Sequence, residues 1–257
     1  MINLNNIKID WTNFYVLTLE SKQEVFFNNR DFGIGHTELT AEDYFSWAKE
    51  GIDQNKEISV KEIIEIISNV KRAIDCKCES FLKTYGFIED INSVNYPWFK
   101  ELIKGEPISF LSLISYLMDL NLIIIEEIRK LRNKTEHDYS IPTIEDAKRA
   151  VAVGELFLLA FNQKVNNIRY YCQISSEKYD DEFYICLYRD GDEDPFNSDS
   201  LIEINDTIFN SSKKEYAMLL KLLVNGDFNN LPFLFNKEIP SKSIRYKEYF
   251  DEDAMGN

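Results

Sequence analysis

The chain has 257 residues, 44% hydrophobic and 28% charged, so it can bury a sizeable core as one large or two modest domains. Its formal net charge of −15 argues against sequence-independent binding to a long nucleic-acid backbone, because such binding needs many Lys and Arg contacts to phosphate. Four cysteines form neither a dense disulfide framework nor a CxxC metal pattern, so they indicate reduced, mostly buried thiols in a cytoplasmic protein. No leader-like segment opens the chain, and the most apolar run, Ala150 to Phe161, is short and contains Glu155; the sequence therefore predicts neither a signal peptide nor a membrane span.

The N-terminal third changes from a strand pattern to a helix pattern. From Ile7 to Asn28, β-branched and aromatic residues predict two short strands, within a β-rich arm over residues 1–39. Thr40 and Asp43 have the spacing of a helix cap and predict a short helix after them.

A long amphipathic helix follows and is predicted to end at Gly86. Its apolar face recurs at intervals of three and four residues: Ile63, Ile67, Val70, Ile74, Cys78, Phe81 and Tyr85. The segment from Pro107 to His137 repeats the pattern and predicts two helices with a break near Asp119 to Asn121.

Thr143 and Asp146 form a second capping signal, and helical spacing continues from Ala147 to Phe161. Residues 40–166 are therefore predicted to form a helical domain. We expect the chain to be mainly α, an antiparallel helical bundle with β-containing flanks at both ends, α+β overall.

Residues 167–236 are predicted to form a small α+β module. Two strands are expected on either side of the polar loop Ser176 to Asp181, and the β elements of the two chain ends are expected to meet in one small sheet. A last helix is expected after a capping box of Ser212 and Glu215, ending at Gly226. The polar tail, residues 237–257, is expected to be loosely ordered.

Two clusters of potential metal ligands do not have the spacing of a metal site. Asp190, Asp192 and Asp194 resemble the start of a calcium loop, but Pro195 stands where the loop needs Gly, and Leu201 stands where it needs Glu. Cys76 and Cys78 lie two residues apart on a predicted helix, where side chains point in different directions. We expect no metal and no cofactor.

The stretch LRNKTEHDYSIPT, residues 131–143, is the strongest indication of chemistry. Here a polar residue, Asn133, follows Arg132, His137 lies five residues after the Arg, and Tyr139 follows two residues later. Together with the capped helix after it, this stretch resembles the signature of the HEPN superfamily, in the Arg-x4-His-x-Tyr form. Arg30 and His36 satisfy the same loose spacing, but two glycines make their setting a poor helix.

The resemblance implies a HEPN-like helical bundle and a metal-independent endoribonuclease, used as a toxin or defence effector. His137 would move a proton from the 2′-hydroxyl or to the leaving oxygen, and Arg132 would hold the phosphate. Asn133 would orient either group, Glu136 is a candidate for tuning His137, and Tyr139 is a candidate site for inactivating nucleotide transfer. On an ideal helix five residues turn about 140°, so Arg132 and His137 share a site only if the helix ends before Pro142 or if a partner chain completes the site.

The implied partners are an RNA substrate and a second copy of the chain in a homodimer. A nucleotidyltransferase antitoxin or another defence partner is also implied, whereas no membrane and no DNA are expected. Two alternatives stay open: a non-catalytic HEPN-like module that binds a protein or a nucleotide, and a regulatory partner of another enzyme. An ordinary polar helix end, with His137 favoured by the helix dipole, is the structural alternative for the motif itself.

Overall fold

The computed structural model describes residues 8–19, 39–53, 58–87, 96–103, 110–120, 127, 130, 141–189, 200–235 and 244–251. The helices of these ranges are α1 (Ala41–Asp53), α2 (Val60–Thr84), α3 (Phe99–Leu102), α4 (Phe110–Met118), α5 (Ile144–Asn166), α6 (Lys214–Asn225) and α7 (Leu231–Leu234). The strands are β1 (Phe14–Leu19), β2 (Tyr171–Ser176), β3 (Tyr179–Arg189), β4 (Ser200–Ile204), β5 (Thr207–Phe209) and β6 (Tyr246–Asp251).

The strands form one six-stranded mixed sheet in the order β5-β4-β3-β2-β1-β6. β1 pairs antiparallel with β2 and parallel with β6, and the remaining pairs are antiparallel. The described chain is therefore an α/β fold, and the prediction of a mainly α helical bundle was wrong. The helices were expected, but the sheet joins strands from both chain ends, and such long-range pairing leaves no local pattern in the sequence. The β elements of the two ends do meet in one sheet, as expected.

One face of the sheet is buried and the other is open. Side chains alternate between the faces, and the central strands place fully buried residues on the inner face. These are Phe14, Val16, Cys172, Ile174, Phe183, Ile185, Ile202 and Ile204. α6 packs against β4 and α4, so the helices cover this inner face. The outer face carries half-buried and exposed side chains.

The C-terminal region corrects the expectation of a loosely ordered tail, because residues 246–251 form strand β6. Arg169 holds this strand with two nearly parallel hydrogen bonds to Glu248, 2.9 and 3.2 Å long. The side chains of both partners are about one-sixth exposed, at 15% and 16%. The Tyr246 hydroxyl donates to the carbonyl of Gly226 over 2.9 Å. Residues 246–251 of the tail, which are rich in charge and tyrosine, are thus ordered by contacts that their own sequence does not reveal.

The local helix signals were largely confirmed. Thr40 and Asp43 exchange hydrogen bonds before α1, and the predicted apolar face of α2 is buried, with Gly86 following in a left-handed conformation at φ +75°. α4 ends where a break was expected, at Asp119, whose φ is +50°. The second helix expected between Pro107 and His137, and the second strand expected before Asn28, fall largely on residues outside the described ranges.

The last predicted capping box was wrong. α6 begins after Lys213, whose side chain makes no cap, and the Ser212 hydroxyl donates to Asn210 over 2.6 Å instead of capping the helix. The Ser212 amide, which a capping box would give to the Glu215 carboxylate, donates to the same Asn210 side-chain oxygen over 3.2 Å, as happens in turns of short polar residues. The end of the helix was confirmed, since Gly226 adopts φ +64° there. The β2–β3 pairing was confirmed too, across a turn at residues 177 and 178.

The long helix α2 is the centre of the helical layer, and it packs on α1, α4 and α5. α5 comes very close to it, because Gly154 faces Val70 of α2 and Phe45 of α1. A Cβ at Gly154 would lie 2.6 Å from Val70 Cγ1, a distance that real Cβ contacts essentially never show. α5, the helix that follows the predicted site, is therefore tightly held.

Candidate functional site

The residues that the sequence predicts as a site all lie outside the described ranges: Arg132, Asn133, Glu136, His137 and Tyr139. The structure describes the chain on both sides of them, at Glu127 and Lys130 upstream and from Ile141 onward. The geometry that bears on the site is therefore the geometry of these two flanks.

The downstream flank ends in a complete capping box. Thr143 is extended, with φ −95° and ψ 165°, and its hydroxyl accepts the Asp146 amide over 3.2 Å. The Asp146 carboxylate in turn accepts the Thr143 amide over 2.8 Å. A residue in extended conformation cannot continue a helix, so α5 begins at Ile144 as a new helix. This satisfies the downstream part of the predicted arrangement, a capped helix directly after the motif.

The upstream flank lies beside α5. Glu127 is helical, and its carboxylate accepts a hydrogen bond from the Arg149 guanidinium over 2.5 Å. Arg149 is on the second turn of α5, so the helical residue before the motif contacts the helix that comes after it. Residues 131–140 therefore join two chain segments that are neighbours in space.

The first turn of α5 offers little attraction to a phosphate. A free helix N-terminus would bind anions through its unpaired amides and its dipole. Here Asp146 already occupies that position, and the exposed Glu145 adds a second carboxylate, paired with Lys148 over 2.9 Å. Arg149 is engaged by Glu127.

α5 is held in place by close packing against the neighbouring helices. Ala147 and Ala150 in its first two turns are fully buried, and so is Phe161 further along. Lys49 of α1 pairs with Glu155 over 2.9 Å and adds a polar contact at the same interface. Since small residues let the helices approach closely, α5 has little freedom to shift.

The opposite side of α5 exposes large apolar side chains. Leu156 and Leu159 are 61% and 62% exposed, and Ile141, just before the capping box, is 74% exposed. Leu158 between them packs partly against the core. Helical periodicity could not separate this exposed face from the core face, because Leu occurs on both.

The cysteines do not form a reactive centre. Burial raises the pKa of Cys78, and it raises the pKa of Cys172 to about 12. Both thiols are therefore protonated at neutral pH and are poor nucleophiles. Within the described ranges, no group of three or more His, Cys, Asp or Glu side chains is arranged to hold a metal ion. Nor does any helix of these ranges have the length and apolarity to cross a bilayer.

Comparisons of the chain with protein-family models, with curated proteins and with solved structures found no match. The resemblance of residues 131–161 to HEPN proteins thus depends on the motif residues and on their helical setting.

Proposed function

We propose that the protein is a metal-independent endoribonuclease of HEPN type, with Arg132, Asn133 and His137 as its catalytic residues. The observation that carries the proposal is the setting of the motif. It stands directly before a helix that begins anew at Ile144, and the Glu127–Arg149 pair keeps the chain before the motif next to that helix. A continuous helix cannot bring residues five apart into one site, and the extended Thr143 excludes one helix that runs from the motif into α5.

The reaction needs one base, one acid and a cation. His137 in its neutral form takes the proton of the 2′-hydroxyl, and the 2′-oxygen attacks the phosphorus. The bond from phosphorus to the 5′-oxygen breaks, and this leaving oxygen receives a proton from an imidazolium, His137 of the second copy. The products are a 2′,3′-cyclic phosphate and a 5′-hydroxyl, so neither water nor a metal takes part in this step.

Arg132 stabilises the charge that builds on the phosphate oxygens, for which a planar guanidinium is better suited than an ammonium. Asn133 donates to the same oxygens or orients Arg132. Glu136 supports the protonated form of His137. Tyr139 is the group that a nucleotidyltransferase antitoxin would modify.

The protein acts in the cytoplasm as a homodimer and as a toxin or defence effector. The exposed Leu156 and Leu159 of α5 support the dimer, because large apolar side chains exposed together on one helix face are typical of interaction surfaces. The net charge of −15 favours a small, local phosphate site over a broad RNA-binding surface.

The test is cleavage of a labelled mixed RNA panel by purified protein in the presence of EDTA. The parent is compared with His137→Ala and Arg132→Ala, and folding is checked for each by thermal denaturation. Loss of cleavage in both, with cyclic-phosphate ends from the parent, is the expected result. Removal of one positioned acid–base group lowers the rate by about 10²–10⁴-fold.

His36→Ala and Arg30→Ala are the matched controls, because they remove the other His and the other Arg with the same loose spacing. Cleavage should be unchanged in both. Cleavage that persists in His137→Ala would refute the site assignment. A folded, dimeric parent that cleaves nothing in the panel would instead favour the non-catalytic binding module.

A further inference from the structure

The outer face of the sheet carries tyrosine rings on four strands. Tyr15 of β1 and Tyr249 of β6 have ring centroids 6.0 Å apart, and Tyr171 of β2 and Tyr184 of β3 have centroids 5.3 Å apart. The strand register puts these rings on one side of the sheet, since Leu17 pairs with both Tyr249 and Gln173, and Gln173 pairs with Tyr184. We call these four rings, with Glu182 and Glu203, the outer tyrosine face.

This face is open to solvent. Tyr249 is 48% exposed, Ile208 of the same face is 56% exposed, and the other three tyrosines are half-buried. Aromatic rings in such numbers on an open surface are typical of binding interfaces, where tyrosine gives a large contact area at a low cost in side-chain entropy.

Carboxylates accompany the rings. The hydroxyl of Tyr184 donates to Glu182 over 2.5 Å, and that of Tyr15 donates to Glu177 in the β2–β3 turn. Glu203 lies on β4 opposite Cys186. Counted together with the β2–β3 turn, the described side chains of this face carry these three carboxylates and two cations: Lys247, which pairs with Tyr15 in the strand register, and Lys178, which lies 5.4 Å from the ring centroid of Tyr179. The face is therefore negative locally, in keeping with the whole chain.

The negative charge of this face distinguishes between the classes of partner that an aromatic surface can bind. Aromatic rings can stack nucleic-acid bases, but carboxylates beside the rings repel the phosphates that come with those bases. In a second copy docked face to face, two surfaces with the same negative net charge would meet, which is unfavourable. A polypeptide with Lys and Arg matches both the carboxylates and the aromatic rings of this face, because its cations pair with the carboxylates and pack on the faces of the rings.

We propose that the outer tyrosine face docks an extended, basic segment of a partner protein, with Lys or Arg alternating with apolar residues. The cations of that segment lie over Tyr184 and Tyr171 and reach Glu182 and Glu203. Its apolar residues cover Ile208 and the tyrosine rings. None of the residues of this partner site belongs to the ribonuclease motif, and the proposal does not depend on that motif.

The test uses a short peptide in which Lys and Arg alternate with Leu, titrated into the isotope-labelled full chain while backbone amide resonances are followed. We expect shifts concentrated in the strands, β4 and β5 with Glu203 and Ile208 included, and binding that weakens with salt. Tyr184→Ala should weaken binding about tenfold, whereas Tyr184→Phe, which keeps the ring, should retain most of it. Should Tyr184→Ala fail to fold, Tyr249→Ala at the exposed edge strand replaces it.

Because the whole chain is acidic, a basic peptide could bind it through net charge alone. Two double variants with the same change in net charge, one on this face and one elsewhere, separate the two possibilities. Glu182→Lys/Glu203→Lys should weaken binding by a factor of roughly ten or more. Glu50→Lys/Glu65→Lys changes the net charge equally, on exposed residues of α1 and α2, and should alter binding less than about twofold.

Equal losses in the two charge pairs would show that the peptide follows net charge alone and would overturn the proposal. So would shifts that map to the helices, or equal binding by a peptide with Glu in place of the cations. Stronger shifts of this face with single-stranded RNA than with the basic peptide would also overturn it. None of these results depends on RNA cleavage, so this proposal and the ribonuclease proposal can fail separately.

Discussion

Replacing Gly154 by Ala tests whether close helix packing holds α5, the helix that follows the predicted site. In an open helix the change would stabilise the protein by about 1 kcal/mol, because Ala is the better helix former. At Gly154, however, the new Cβ would lie 2.6 Å from Val70 Cγ1 and 3.2 Å from the ring of Phe45. Val70 is fully buried and β-branched, so it cannot rotate away easily.

Overpacking of a filled core costs about 1–3 kcal/mol, which exceeds the gain in helix propensity. We therefore expect Gly154→Ala to destabilise the protein by about 1 kcal/mol, a fall in Tm of about 2–4 °C for a chain of this size. The measurements are urea denaturation for the free energy of unfolding and thermal denaturation for Tm, each followed by far-ultraviolet circular dichroism.

A double-mutant cycle with Val70→Ala separates packing from propensity. When the Val70 methyl groups are absent, the new Cβ has space, and Gly154→Ala should stabilise by about 1 kcal/mol. The expected coupling is about 2 kcal/mol, within the range for residues in contact. A Gly154→Ala variant that stabilises the protein equally in both backgrounds would refute the packing argument.

Three further predictions concern single contacts. Thr143→Ala removes the cap of α5 and should cost about 1 kcal/mol of unfolding free energy, while Thr143→Ser should not; equal losses would show that the hydroxyl is not the cap. Glu248→Gln leaves the guanidinium of Arg169 without its charged partner and should cost about 1–3 kcal/mol, detected as urea sensitivity and as faster amide exchange in β6. Burial raises the pKa of Cys172 from 9.0 to about 12. The neutral thiol therefore makes its full contribution to the free energy of unfolding below pH 9, and this contribution declines as the pH rises toward 12. In Cys172→Ala the free energy of unfolding should fall less steeply between pH 9 and pH 12. An unchanged slope would contradict this account.

Much of the helical layer was predictable because its signals are local. Capping boxes at Thr40 and Thr143 need residues only three positions apart, and the buried face of α2 follows from a period of 3.6 residues. Ser212 shows the limit of such signals, since its backbone amide donates to Asn210, two residues away, and not to Glu215 as a capping box requires.

The candidate site was a prediction of residue types and spacing, and its residues remain a sequence-based hypothesis. The structure contributes its surroundings. No sequence pattern showed that Glu127 contacts Arg149, or that Leu156 and Leu159 are exposed while Leu158 packs inward. Each of these facts depends on which neighbouring helix covers a given side of α5.

By itself the sequence determined the positions of the main helices, the β2–β3 hairpin and the acidic character of the surface, because short-range hydrogen bonding, periodicity and composition decide these. Only the tertiary structure decided the fold class. The parallel pairing of Phe14 with Tyr246 joins residues at opposite ends of the chain, and the Arg169–Glu248 pair anchors a strand that composition alone marks as a polar tail. Such contacts form because the central strands of the sheet bury one face in the core, a condition that exists only in the folded chain.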